Sequence, residues 1–162
     1  MAMIVVMLAA ATGCGPRRKP VTERDRKEAV VLVSEAQFAM NLRDWARAEG
    51  LFAKAVDLAP EADFWIGLAS NRVRLGNRSG AKDAYQSAFK ALEDDIAREG
   101  AGADLWLRQA NVLALMGRHD ESRALLAKAA KRFPNEKRIQ TLLDPAQFQK
   151  MISAPGFKEI AL

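Results

Sequence analysis

Reactive side chains are few in this sequence of 162 residues. It holds one cysteine, Cys14, one histidine, His119, and one adjacent carboxylate pair on an apolar-striped segment, Asp94 and Asp95. A nucleophile needs a base and an orienting group beside it, and nothing is spaced to accompany His119 in that way. Neighbouring side chains on a helix point apart, so the two aspartates cannot share a proton. One Cys and one His cannot complete a closed zinc site, so we expect no enzyme activity, metal or other cofactor.

The segment before Cys14 has the composition of an export signal. Residues 1–13 are apolar or small and end directly at the cysteine. A run of this length is shorter than the roughly 20 residues that span a bilayer, and it is typical of a secretory signal peptide. The junction resembles a bacterial lipobox, although Ala11 stands where leucine is usual. The resemblance implies that Cys14 is lipidated. The alternative is a buried thiol in a first core helix.

A basic stretch follows the cysteine. Residues 15–27 hold six Lys and Arg against two acidic residues, so this stretch carries +4 of the net charge of +5. Nucleic-acid-binding proteins carry basic residues along a folded face, so we expect no nucleic-acid partner. We predict that residues 14–28 form an extended tether, which Pro16 and Pro20 help to keep open. The tether either spaces the body from a membrane or rests on anionic headgroups.

The body of the chain repeats itself. A pattern of bulky, small and turn residues suited to two packed helices runs through Trp65, Leu68, Ala69, Arg72, Gly76, Ala81, Tyr85 and Ala88. The pattern recurs 41 residues later as Trp106, Gln109, Ala110, Leu113, Gly117, Ser122, Leu126 and Ala129. Its second half occurs 33 residues earlier as Ala48, Phe52 and Ala55. Periods of this length are typical of helical repeat arrays, which bury a continuous core by stacking.

This spacing resembles the tetratricopeptide repeat (TPR) family over about two-thirds of the chain. The resemblance implies an all-α, helical-repeat superhelix of three TPR-like hairpins, at residues 29–61, 62–101 and 103–134. In the first hairpin, Arg43 stands at the turn where the other two have glycine. Ala88 and Ala129 should lie where the helices pack with almost no room.

Two features fall outside the regular repeat. The second helix of the middle hairpin continues its apolar stripe through Leu92 and Ile96, which predicts about two extra turns. These turns either form a projecting ledge for a partner or support the C-terminal cap. Residues 135–162 predict C-terminal capping helices, one of which begins at Asp144 and Pro145 and carries Phe148 on its apolar face.

The family resemblance also implies where a partner binds. In TPR proteins the first helix of each hairpin lines the concave face, and the side chains that repeat packing leaves free form a groove. Carried over to this sequence, the implied groove for a peptide or helix of another protein consists of Val33, Gln37, Met40, Ile66, Ser70, Val73, Arg74, Leu107, Asn111 and Leu115. A clamp for chaperone carboxylates is not implied, since only Arg74 and Asn111 suit one.

These features predict a lipid-anchored periplasmic adaptor or scaffold for protein–protein interaction, similar to TPR lipoproteins that help assemble outer-membrane complexes. Gly15 stands where an aspartate would retain a lipoprotein at the inner membrane, so the resemblance implies the outer membrane. The alternative is a cytoplasmic TPR adaptor or co-chaperone whose start is misassigned.

Overall fold

The computed structural model describes residues 20–98 and 100–162, which form an array of α-helical hairpins. Three hairpins follow one another: α1 (Glu23–Asn41) with α2 (Trp45–Leu58), α3 (Ala62–Arg74) with α4 (Arg78–Ile96), and α5 (Ala103–Leu115) with α6 (His119–Arg132). The cap consists of α7 (Lys137–Leu143), α8 (Pro145–Ser153) and α9 (Pro155–Lys158). Each helix packs mainly on its neighbours in the chain, as in stacked repeats. The predicted all-α helical-repeat fold with C-terminal capping helices is confirmed.

The first helix begins earlier than the sequence suggested. The Thr22 hydroxyl accepts a hydrogen bond from Asp25 N at 3.2 Å, and the Asp25 carboxylate accepts one from Thr22 N at 2.8 Å. This reciprocal capping box satisfies two amide donors and starts α1 at Glu23. The prediction of an extended tether is therefore wrong for residues 23–28. The predicted signal peptide and Cys14 lie outside the described residues.

The three hairpin turns share one backbone geometry. Gly76 and Gly117 have φ angles of 77° and 74°, and Arg43 has 58° at the equivalent place in the first hairpin. Glycine adopts this left-handed conformation freely, whereas a residue with a Cβ atom is disfavoured there by roughly 1–2 kcal/mol. The structure thus confirms that Arg43 replaces a turn glycine, and it puts local strain in the first hairpin.

Two apolar clusters run through the array. The first joins the three hairpins, from Ala29 in α1 to Leu115 in α5. The second joins α5 and α6 to the cap through Ile139 of α7 and Phe148 of α8. Packing is close between the helices: a Cβ atom added to Gly67 in α3 would collide with the ring of Phe52 in α2. As predicted, the alanines at the helix crossings, Ala88 and Ala129, are fully buried.

The middle hairpin has the long second helix that the sequence indicated. α4 has 19 residues, whereas α2 and α6 have 14 each. Leu92, in the added part, is fully buried in the first cluster. Leu92 therefore belongs to the core, whereas Ile96, one turn further on, is half-buried. None of the described helices combines the length and the apolar character that crossing a membrane requires.

Candidate partner-binding site

The first helices of the three hairpins carry the predicted groove residues, and the structure leaves six of them, besides Arg74, with accessible surface beside the apolar core. Those on α1 and α3 that are half-buried pack against the first cluster with part of the side chain and turn the rest to solvent. This set, called the open inner surface below, consists of the half-buried Val33, Met40, Ile66 and Val73 and the exposed Gln37 and Asn111.

Leu107 does not belong to this surface. It is buried in the second cluster, together with Ile139 and Phe148 of the capping helices. The sequence placed Leu107 among the free side chains, and the structure corrects this assignment. The physical reason is that Leu107 joins the second apolar cluster, which α5 and α6 share with the cap.

Ser70 and Leu115 are also buried, although both lie where the groove was predicted. The chain's own last residues are bonded to this place. The Leu162 amide donates to the Leu115 carbonyl at 2.9 Å, and the Tyr85 hydroxyl donates to the Ile160 carbonyl at 2.6 Å. The Ser70 hydroxyl lies 3.3 Å from the Tyr85 hydroxyl. We call residues 157–162 the tail segment; it lies against the ends of α3 and α5 and against Tyr85 of α4.

Arg74, at the end of α3, is the charged group of this site. Its guanidinium stacks over the Trp45 ring at 4.9 Å, a cation–π geometry. Its Nη2 atom lies 3.8 Å from the Glu159 carboxylate of the tail segment. Its Nη1 atom is buried and has no hydrogen-bond partner among the described residues. A buried donor without a partner is unfavourable, so the contact with Glu159 leaves the hydrogen-bonding capacity of the guanidinium incompletely used.

Tyr85 supplies the uncharged donor of the site. Burial raises the pKa of its hydroxyl, an effect that the hydrogen bond with Ser70 and the charge of Arg74 only partly offset. The phenol is therefore a neutral hydrogen-bond donor at physiological pH. The Leu115 carbonyl, near the end of α5, supplies an acceptor, since the last carbonyls of a helix have no partner within it.

His119, Asp94 and Asp95, the other residues with reactive side chains, take part in packing or line a cavity. His119 begins α6 and meets the Phe148 ring edge-on, with centroids 6.2 Å apart. Asp94 and Asp95 line a cavity of about 420 Å³ at the C-terminal end of α4, where Asp95 pairs with Arg98 at 3.0 Å. Within residues 20–98 and 100–162, no three His, Cys, Asp or Glu side chains are grouped to hold a metal ion.

Sequence reasoning missed the place of the tail segment. It predicted only that residues 135–162 form capping helices, whereas residues 157–162 reach back to α3, α4 and α5. A signal was present in Ile160, Ala161 and Leu162, since three apolar residues beyond α9 need a surface to cover. The sequence could not show which surface that is.

Comparison with known proteins identifies the class of the last hairpin. Residues 104–136, which hold nearly all of α5 and α6, match the model of the tetratricopeptide repeat family. Among solved structures, the chain is similar to the Arabidopsis OM64 TPR domain, with 15% identity, a TM-score of 0.48, and coverage of 78% of this chain and 98% of that one. No curated protein sequence matches the chain. The family match is confined to the third hairpin, which lies in an all-α array of helical hairpins.

Proposed function

We propose that this protein is an adaptor whose partner, another protein, binds along the inner side of α1, α3 and α5. The observation that carries the proposal is the open inner surface next to Arg74. Half-buried apolar side chains lie there beside the exposed side-chain amides of Gln37 and Asn111. A clustered apolar surface rimmed by polar groups usually marks an interaction site. Such a surface suits the apolar face of a helix or an extended apolar peptide.

The proposed location is the bacterial cell envelope. Cys14 is the only cysteine, and it follows an apolar run that ends in Thr12 and Gly13. Lipidation of this thiol would anchor the chain to a membrane, because each buried methylene of an acyl chain contributes about 0.8 kcal/mol. The adaptor would then face the periplasm from the outer membrane and act in the assembly of outer-membrane complexes. The supporting evidence is the sequence pattern alone.

The anchor is tested by mass spectrometry of the mature N-terminus. We expect Cys14 to be the first residue and to carry acyl chains, and we expect the Cys14→Ser variant to leave the membrane fraction. Inhibition of the lipoprotein signal peptidase should give the same loss. An intact Met1 on the protein from cells would contradict the lipoprotein proposal and favour the cytoplasmic adaptor.

The binding surface is tested by paired variants in a cross-linked pulldown from intact cells. Met40→Glu with Val73→Glu places two charges on the open inner surface and should reduce partner capture at least tenfold, on the order of a 1.4 kcal/mol loss. The matched control is Ala46→Glu with Ala127→Glu, on exposed positions of α2 and α6. Both proteins are checked for unchanged helicity and urea midpoint.

A third variant separates a loss of binding from a loss of folding. Gln37 is exposed on α1, so Gln37→Arg cannot unfold the array by overpacking. It should weaken capture while the control pair does not. Equal capture by the wild type and by every folded inner-surface variant would move the binding site to another face of the array.

A further inference from the structure

The tail segment contacts the array in the way a bound peptide does. Two of its polar contacts use its backbone, the Ile160 carbonyl with the Tyr85 hydroxyl and the Leu162 amide with the Leu115 carbonyl. A third uses the Glu159 carboxylate, which approaches Arg74. The backbone contacts do not depend on the side chains of residues 160 and 162, whereas the Glu159 contact requires an acidic side chain.

The surface under the tail segment is apolar. Ile160, Ala161 and Leu162 pack against the first cluster, which also contains Leu115 and Tyr85. The site therefore offers one cation, one hydroxyl donor, one carbonyl acceptor and an apolar floor. This combination selects an acidic residue followed by an aliphatic, a small and a second aliphatic residue.

We propose that this site is a peptide-recognition site for such a segment of a partner protein, and that residues 159–162 act as its internal competitor. The inference rests on the proposed function, because it names the chemistry that the inner side of the array selects. The partner displaces the tail segment and takes over the contacts with Arg74, Tyr85 and Leu115. The remainder of its length then lies on the open inner surface between α1 and α3.

The internal competitor has a calculable consequence. A short covalent link holds a segment near its site at an effective concentration on the order of millimolar, so a free peptide with a dissociation constant of about 10–100 µM would bind roughly 10- to 100-fold more weakly to the intact chain. Only partners with longer contacts along α1 and α3 would overcome this competition. The tail segment thus weakens the binding of every peptide by the same factor, so that only the tightest-binding partners are captured.

The probe for the test is a fluorescent peptide with the sequence of residues 155–162. Its anisotropy is measured with three full-length proteins: the wild type, Ile160→Asp with Leu162→Asp to release the tail segment, and Gln147→Asp with Gln149→Asp as a control on exposed positions of α8. We expect at least tenfold tighter binding to the released protein than to the wild type or the control. In the released protein, Arg74→Glu should remove most of this binding, as should a peptide with lysine in place of its glutamate.

A milder variant keeps the test decisive. Glu159 is exposed, so Glu159→Lys removes the ion pair with Arg74 without disturbing the core, and it should also tighten peptide binding. If the released protein loses cooperative unfolding, or if it folds and neither variant binds the peptide more tightly than the wild type, the tail segment is a fixed part of the core and the inference is wrong. The proposed function would survive that result if Met40→Glu with Val73→Glu still reduced partner capture.

Discussion

The two ends of the helical array are finished differently. At the C-terminal end, α7 and α8 cover the last hairpin, and Phe148 is only 3% exposed. At the other end, α1 turns Val31, Phe38 and Leu42 to solvent, and Phe38 and Leu42 are 60% and 62% exposed. These three residues are spaced by seven and four positions, so they form one stripe along the helix.

This difference shows what a repeat array needs beyond its repeats. Each hairpin leaves an apolar side where the next would stack, and a terminal cap with a polar outer face must cover it. The C-terminal end has such a cap. The tail segment follows from it and contacts α3, α4 and α5. In the part of the chain that the structure describes, the outer side of α1 has none. The same residue type is therefore core at one end and surface at the other.

The largest expected difference in the free energy of unfolding is between alanine variants of two phenylalanines, one at each end. Phe148→Ala removes a buried ring from the second cluster and should destabilise the protein by about 3–5 kcal/mol. Phe38→Ala removes an exposed ring and should change the free energy of unfolding by less than about 0.5 kcal/mol. Urea unfolding of both variants measures the difference. Equal losses would mean that the α1 stripe is covered in solution.

The next effect concerns the crossings inside the hairpins. Ala88→Phe and Ala129→Phe each overpack a fully buried position and should lower stability by about 1–3 kcal/mol. Ala46→Phe, on an exposed position of α2, is the matched control and should have little effect. The urea midpoints decide the matter. If both buried variants unfold at the wild-type midpoint, the helix register described here is wrong.

A smaller effect separates the first turn from the other two. Gly76→Ala and Gly117→Ala force a Cβ atom into the left-handed region and should each cost about 1 kcal/mol. Arg43→Gly relieves the same strain in the first hairpin and should stabilise the protein by up to about 1 kcal/mol, less the greater freedom of glycine in the unfolded chain. Thermal unfolding checks both signs. Destabilisation by Arg43→Gly would show that the arginine side chain itself supports the turn.

The last effect appears only at alkaline pH. The pKa of Tyr85 is raised by burial, so the folded state favours the neutral phenol. Its contribution to stability is complete below pH about 10 and is lost as the pH rises through the folded pKa. Tyr85 is the only tyrosine of the chain, so phenolate absorbance reports it alone. Tyr85→Phe should abolish this part of the alkaline loss, and an identical pH profile in that variant would contradict the assignment.

The fold was predictable because its determinants are local and repeated. The hairpins were predictable from the spacing of Trp65, Gly76, Tyr85 and their equivalents. The start of a capping helix was predictable from Asp144 and Pro145. The start of α1 was misplaced because the capping box of Thr22 lies within a charged stretch that resembles a linker.

The candidate site was only partly predictable, because it depends on contacts distant in sequence. Helical spacing placed Met40 and Val73 on α1 and α3, where both are half-buried, but it did not show that Ser70 is buried. It could not show that Leu107 belongs to the second cluster, or that residues 157–162 reach Leu115 and Arg74. Those outcomes depend on where the chain turns after α8, which no periodic pattern encodes.

If a peptide can replace the tail segment on α3, α4 and α5, its binding must release the amides of that segment. Hydrogen exchange of the intact protein, measured with and without an excess of the peptide of residues 155–162, detects this release. We expect the backbone amides of residues 160–162, including the Leu162 amide bonded to Leu115, to exchange faster when the peptide is bound. Those of α7 and α8 should stay protected. Binding of the peptide with the tail amides as protected as before would show that the tail segment is not displaced.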